Sequence, residues 1–311
     1  MPSLEQHLEQ LARAERWTYR AGRESATEPA AWTTLALAAH GMSEAALRPA
    51  KWLAGLQQPN GSLGVFATEQ EPRWPTSLAM LAWSAVDAAG AKPHFTVHIA
   101  LAAKWALAAR GKTAPRSHYV GHDTELAGWS WAADTHSWLE PTCLFVMGLR
   151  AAGFADHARV REGVTLIVDR LLPAGGANYG NTIVLGQPLV AHVQPTALAL
   201  LALADESIAD PRIEKSLEYL EASISSETAA PSLALACLAL AAHGRRPSQC
   251  EEWILASLDR PMDPPLAAYE QSLLLLAVAH ERVPLLARPA VSDVYPVRTA
   301  GQASSATRST R

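Results

Sequence analysis

A run of apolar residues, nearly free of charge, recurs along this chain just after a proline. It reads EPAAWTTLALAAHG from Glu28, WPTSLAMLAWSAVDAAG from Trp74, EPTCLFVMGLRAAG from Glu140, QPTALALLALADE from Gln194 and APSLALACLALAAHG from Ala230. A sixth copy, AAYEQSLLLLAVAH from Ala267, lacks the proline. Ala and Leu are strong helix formers, so each copy predicts a helix. A helix that is apolar nearly all round is buried on several sides. Proline suits its first turn, where a backbone N–H has no intrahelical partner to lose.

More polar segments alternate with these copies: AALRPAKWLAGLQQ, VHIALAAKWALAARG, ARVREGVTLIVDRLL, PRIEKSLEYLEASI and SQCEEWILASLDR. Each carries its charge on one helical face and predicts an outward-looking amphipathic helix. The repeat is therefore a helix pair, and buried inner helices backed by outer ones describe two concentric rings. Counting Leu4 to Ala14 as a helix gives about six pairs, an all-α (α/α)6 toroid that closes without an exposed terminal repeat. The toroid is expected over residues 1–286. From 287 to 311 the chain is rich in Ser, Thr, Ala and Arg without helical periodicity. This stretch reads as a loose tail that touches the ring at Val294-Tyr295-Pro296.

Composition narrows the partners. Net charge is −4 over 311 residues and no basic stripe is present, which argues against nucleic acid. No stretch approaches the ~20 continuous apolar residues of a transmembrane helix, so membrane contact, if any, is expected to be peripheral. The N-terminus lacks a signal-peptide h-region. Cys143, Cys237 and Cys250 are odd in number and widely spaced, and read as reduced, structural residues of a cytoplasmic protein.

Trp52-Leu-Ala-Gly-Leu-Gln-Gln-Pro-Asn-Gly61 is similar to the QW repeat of squalene and hopene cyclases, found in weaker form in protein prenyltransferase β subunits. Gly128-Trp-Ser-Trp131 and Asn178-Tyr-Gly-Asn181 resemble further degenerate copies. The segments from His122 to Trp131 and from Thr135 to Thr142 resemble single-domain bacterial prenyltransferase or squalene-cyclase repeat proteins. The resemblance spans roughly Trp17 to Pro284, and its motifs specify fold better than chemistry. It implies a terpenoid-cyclase-like toroid and an isoprenoid-active enzyme that holds a polyprenyl chain, or another apolar small molecule, in the central cavity. The cyclases' Asp-x-Asp-Asp motif and the prenyltransferases' Asp-x-Cys zinc motif are both absent. The alternative reading is therefore a non-catalytic module that binds a lipid, a peptide or a protein.

In the cyclases the acidic motif directly precedes an inner helix, and that register places Glu140 where the proton donor would stand. The resemblance thus implies acid-initiated chemistry at Glu140 with His136 and Asp123. Trp17, Trp74, Trp129, Trp131, Trp138, Tyr179 and Gln194 would bind substrate, aromatic faces being able to stabilise a carbocation. A carboxyl at the mouth of an apolar cavity has its pKa raised, as a general acid requires. Simpler roles compete. Ser25-x-x-Glu28 and Ser137-x-x-Glu140 both match a helix capping box, and Glu28 in particular reads as a cap. Tryptophans also fill wedges between helices. Five histidines crowd between His94 and His136, yet no complete ligand motif is present, so no metal or other cofactor is assigned. If a divalent metal binds, its ligands would be His122, Asp123, His136 and Glu140.

Overall fold

The computed structural model describes residues 3–69 and 71–282, so the expected tail at 287–311 and its contact at Val294-Tyr295-Pro296 lie outside the described residues. Six inner helices form the centre: α2 (Thr27–Ala39), α4 (Thr76–Ala88), α6 (Leu139–Ala151), α8 (Val193–Leu203), α10 (Ala230–Ala242) and α12 (Ala268–Val278). Each packs on the next, and α12 packs on α2, which closes the ring. Outside them run α3 (Ser43–Leu56), α5 (Thr96–Ala108), α7 (Ala158–Asp169), α9 (Pro211–Ser223) and α11 (Cys250–Asp259). α1 (Leu4–Arg13) takes the sixth outer place against α12 and α2. The structure is an (α/α)6 toroid.

Burial follows the sequence pattern. In α10 every residue from Leu233 to Leu240 is buried, whereas outer α9 buries only Ser216, Leu217 and Leu220. Bringing two fully apolar helices together requires small residues at the crossing. Gly148 of α6 supplies one: a Cβ there would lie 2.7 Å from the Ser77 carbonyl oxygen of α4.

Polar contacts fix the ring at both ends. At the N-terminal end, Leu63, Trp129 and Ala177 each donate a backbone N–H to the hydroxyl of Thr76, Thr142 and Thr196, at 2.9, 3.0 and 2.9 Å. Each threonine donates in turn to a carbonyl three or four residues before it. One device, repeated three times, pins the turn after an outer helix to the inner helix that follows. At the opposite end, His40 of α2 donates to Leu275 O of α12 (2.8 Å) and His243 after α10 donates to Leu200 O of α8 (2.9 Å). Arg150 of α6 donates to Ala202 O of α8. These side chains bond carbonyls in the last turns of neighbouring inner helices, where intrahelical N–H donors run out. The closing seam carries one more bond, Thr33 Oγ1 to Ser272 Oγ at 2.8 Å.

Two features depart from the expected pattern. A short antiparallel hairpin, β1 (Ile183–Val184) and β2 (Gln187–Pro188), stands between α7 and α8 and turns through Leu185 and Gly186, both at positive φ. Neither predicted capping box forms. The N-caps are Ala26 and Trp138, which makes Glu28 and Glu140 the second helical residues, one short of the capping-box position. Ser25 Oγ accepts instead from Trp17 N–H, and Ser137 Oγ from Gly128 N–H.

Candidate active site

Alternation of inner and outer helices runs all six inner helices in one direction, so their first turns gather at one mouth. Glu28, Glu140, Gln194 and Tyr269 are each the second residue of an inner helix. Trp74 and Ala230 hold the same place directly before Pro75 and Pro231. In ring order the mouth presents Glu28, Trp74, Glu140, Gln194, Ala230 and Tyr269. The repeated pre-proline position, filled by Tyr269 in the proline-free sixth copy, thus lies at this end of the ring.

Two carboxylates face this mouth with neutral partners. Glu28 accepts from Tyr19 OH at 2.6 Å and from Trp32 Nε1–H at 3.2 Å. Part of the residue reaches the surface, but protein atoms surround its carboxyl. That burial raises its pKa above the ordinary carboxylate range, against the two hydrogen bonds, which favour the anion. Glu140 accepts one long bond, from Gln194 Nε2–H at 3.4 Å. Burial first, then the charge of Glu28, push its ionisation from 4.5 up to about 7, and the Gln194 bond offsets little of this. Tyr269 and Tyr19 pack ring to ring at 5.3 Å. Burial and the nearby Glu28 raise both phenols, so both remain O–H donors. Glu140, its ionisation raised to about 7 by burial and by the charge of Glu28, keeps its proton over part of the neutral range, the state from which a general acid works.

A cleft of about 260 Å³ has Trp74 in its lining but none of Glu28, Glu140, Gln194 or Tyr269. Trp74 and Trp131 meet edge to face at 4.7 Å on its wall, with Trp105, Arg73, Glu71 and Asp134 around them. Trp74 therefore belongs to both the mouth and the cleft.

The other sequence candidates are scattered. Gln194 is at the mouth as Glu140's partner. Tyr179 is half exposed next to it, its carbonyl accepting from Leu139 N–H and its ring 5.4 Å from His192. Trp138 caps α6. Trp17 is buried against Trp52, and Trp129 is buried between Phe145 and the Arg159 guanidinium, with its Nε1–H bonded to Ala106 O. His136 is exposed and packs 4.5 Å from the Trp138 ring. Asp123 pairs with Arg116, and its backbone is held by Asp169 and Arg170. His122 is half-buried with Nδ1 unpartnered. Burial, then the Arg170 charge, lower its pKa to about 4, so it is neutral at pH 7. Among the described residues no group of three or more His, Cys, Asp or Glu is arranged to hold a metal ion, so His122, Asp123, His136 and Glu140 do not form such a group.

No protein-family model matches this chain, and no curated protein matches it at significant similarity. Among solved structures it is similar to the endo-beta-1,4-glucanase CMCax from Acetobacter xylinum, with a TM-score of 0.53 and 12% identity over 91% of this chain and 99% of that one. At that identity the likeness shows the fold alone. It also corrects the resemblance to squalene and hopene cyclases and prenyltransferases, because this structural neighbour is a glucanase. Both groups are α/α toroids, and in this chain the QW-like segment is a packing device. Gln57, for example, bonds Gly61 O and His98 O to tie α3 to its turn and to α5. Among the described residues no helix is long and apolar enough to cross a membrane.

Residues missed by sequence reasoning are Tyr19, Trp32 and Tyr269, with Glu28 read as a cap. The available signal was the identical Glu-Pro at residues 28–29 and 140–141, which marks equivalent places in two repeats.

Proposed function

We propose that the ring mouth is an acid–base site that cleaves a glycosidic bond, with Glu140 as the general acid and Glu28 as its carboxylate partner. The observation that carries this reading is the pair of carboxyls at equivalent positions on α2 and α6, of which Glu140 is raised to about 7. Glycoside hydrolysis needs one carboxyl that gives a proton to the leaving oxygen and one that stays charged to activate water or hold the developing cation. Glu28 is assigned the charged role because Tyr19 and Trp32 donate to both of its oxygens, two bonds that favour the anion against the burial that raises its pKa. Glu140 suits the acid role, being the less tightly held and ionising near neutrality. Trp74 and Trp131 with their polar rim offer an aromatic face and hydrogen-bonding groups, the chemistry a pyranose ring fits. The glucanase neighbour makes β-1,4-glucans the first substrates to test.

The experiment is reducing-end release from a panel of soluble glucans by wild type, Glu140→Gln and Glu28→Gln. Wild type is expected to cleave at least one member, and Glu140→Gln to lose at least about a hundredfold, the usual contribution of a general acid. Undiminished turnover in a folded Glu140→Gln variant removes Glu140 from the mechanism. Saccharide binding without cleavage by wild type supports a binding module instead.

A further inference from the structure

Cys237 lies in the middle of inner helix α10, and Cys250 is the first residue of outer helix α11. The short connection between the helices turns the chain back so that the two Sγ atoms stand 2.7 Å apart, both side chains fully buried. The third cysteine, Cys143, is buried in α6. We propose that Cys237 and Cys250 form a redox-modification site that closes to a disulfide when the protein meets a hydroperoxide.

Cys250 is the attacking thiol. It sits at a helix N-terminus, where the backbone dipole favours a thiolate. The S–H of Cys237, then the nearby Arg246 charge, hold it below the ordinary thiol range against burial. Cys237, as the donor of that bond, is correspondingly raised. The thiolate of Cys250 attacks one peroxide oxygen, the O–O bond breaks, hydroxide leaves and a sulfenic acid remains. Cys237 sulfur then attacks the sulfenic sulfur, the S–O bond breaks and water leaves with the Cys237 proton. In sum two thiols and one hydrogen peroxide give one disulfide and two waters. Both sulfurs are fully buried, so the peroxide would reach Cys250 through a local opening of the turn before it, where Ser248 and Gln249 are exposed. The product would tie an inner helix to the outer helix behind it.

The test treats the whole chain with a small excess of hydrogen peroxide, quenches with catalase, and alkylates in denaturant with iodoacetamide. Before oxidation three cysteines should alkylate. Afterwards only Cys143 should, with the intact mass lower by two hydrogens before alkylation, a 237–250 linked peptide, and recovery of all three thiols on reduction. Three alkylated cysteines after oxidation, a sulfinic acid at Cys250 beside a free Cys237, or a linked dimer would each overturn the proposal. Cys237→Ser should leave a sulfenic acid at Cys250 that dimedone traps; trapping at Cys143 instead would overturn the assignment of Cys250 as attacker. Should that variant fail to fold, the wild-type mass and peptide data decide.

Discussion

Replacing Glu140 by Gln should make the protein more stable at alkaline pH and leave it nearly unchanged in acid. The carboxyl ionises at about 7 in the folded chain and at 4.5 as an ordinary glutamate. Below pH 4.5 both states hold the proton and the group contributes no difference. As pH rises from 4.5 to 7 the unfolded chain releases the proton first, so stability falls, and above 7 the full cost is present. Each pH unit separating the two ionisations is worth about 1.4 kcal/mol, which makes the cost about 3 kcal/mol for this well-buried group. That figure is a ceiling, because the N-termini of the inner helices favour the anion. Gln keeps the shape and the amide contact and never ionises. Urea unfolding of wild type and Glu140→Gln at half-unit steps from pH 5 to 8.5 measures the difference directly. The variant's advantage should grow with pH and level off above about 7.5 at ~2–3 kcal/mol. A difference that stays flat within about 0.5 kcal/mol would refute the reasoning, because distant surface effects of a single substitution are of that size.

Further outcomes follow from the same geometry. Glu28→Gln removes the second contributor to the Glu140 shift, so the carboxyl ¹³C titration of Glu140 should move below about 7; an unchanged midpoint would show that the two groups do not interact. Thr142→Val leaves the buried Trp129 N–H without its acceptor and should cost about 1–3 kcal/mol by urea unfolding, whereas a loss under about 0.5 kcal/mol would mean that the hydroxyl does not pin the turn. Gly148→Ala forces a methyl against Ser77 O and should cost about 1–3 kcal/mol, with an unchanged midpoint arguing that α4 and α6 are less closely packed than described.

The ring was legible because its signal is repeated. Proline followed by an uncharged Ala/Leu run, alternating with amphipathic segments, is a pattern that only stacked helix pairs bury, and the six inner helices fall on the six copies. The candidate site was legible where it shared that repeat: Glu140 and Gln194 occupy the pre-proline position. Glu28 occupies it too, but Ser25-x-x-Glu28 also spells a capping box. Only the backbone shows that the helix begins too late for Glu28 to reach the cap. Tyr19 and Tyr269 meet because the last inner helix closes on the first, a contact set by ring closure and by no local pattern. Cys237 and Cys250 likewise meet only once α11 folds back on α10. The cluster of histidines and Asp123 drew attention by density in the sequence, yet His136 is exposed and Asp123 is engaged by Arg116. Leu185-Gly186 lacks the usual Asn-Gly hairpin signal, which hid the small β-hairpin.

The pH dependence of kcat/KM for glucan hydrolysis tests the proposed chemistry most directly. With Glu140 as a general acid ionising at about 7, the rate should fall as pH rises through that value, since the anion has no proton to give. Glu28→Gln should retain a falling limb displaced to lower pH, whatever its effect on the maximum rate. A wild-type rate that stays level or rises between pH 6 and 9 would contradict the assignment of Glu140 as the proton donor.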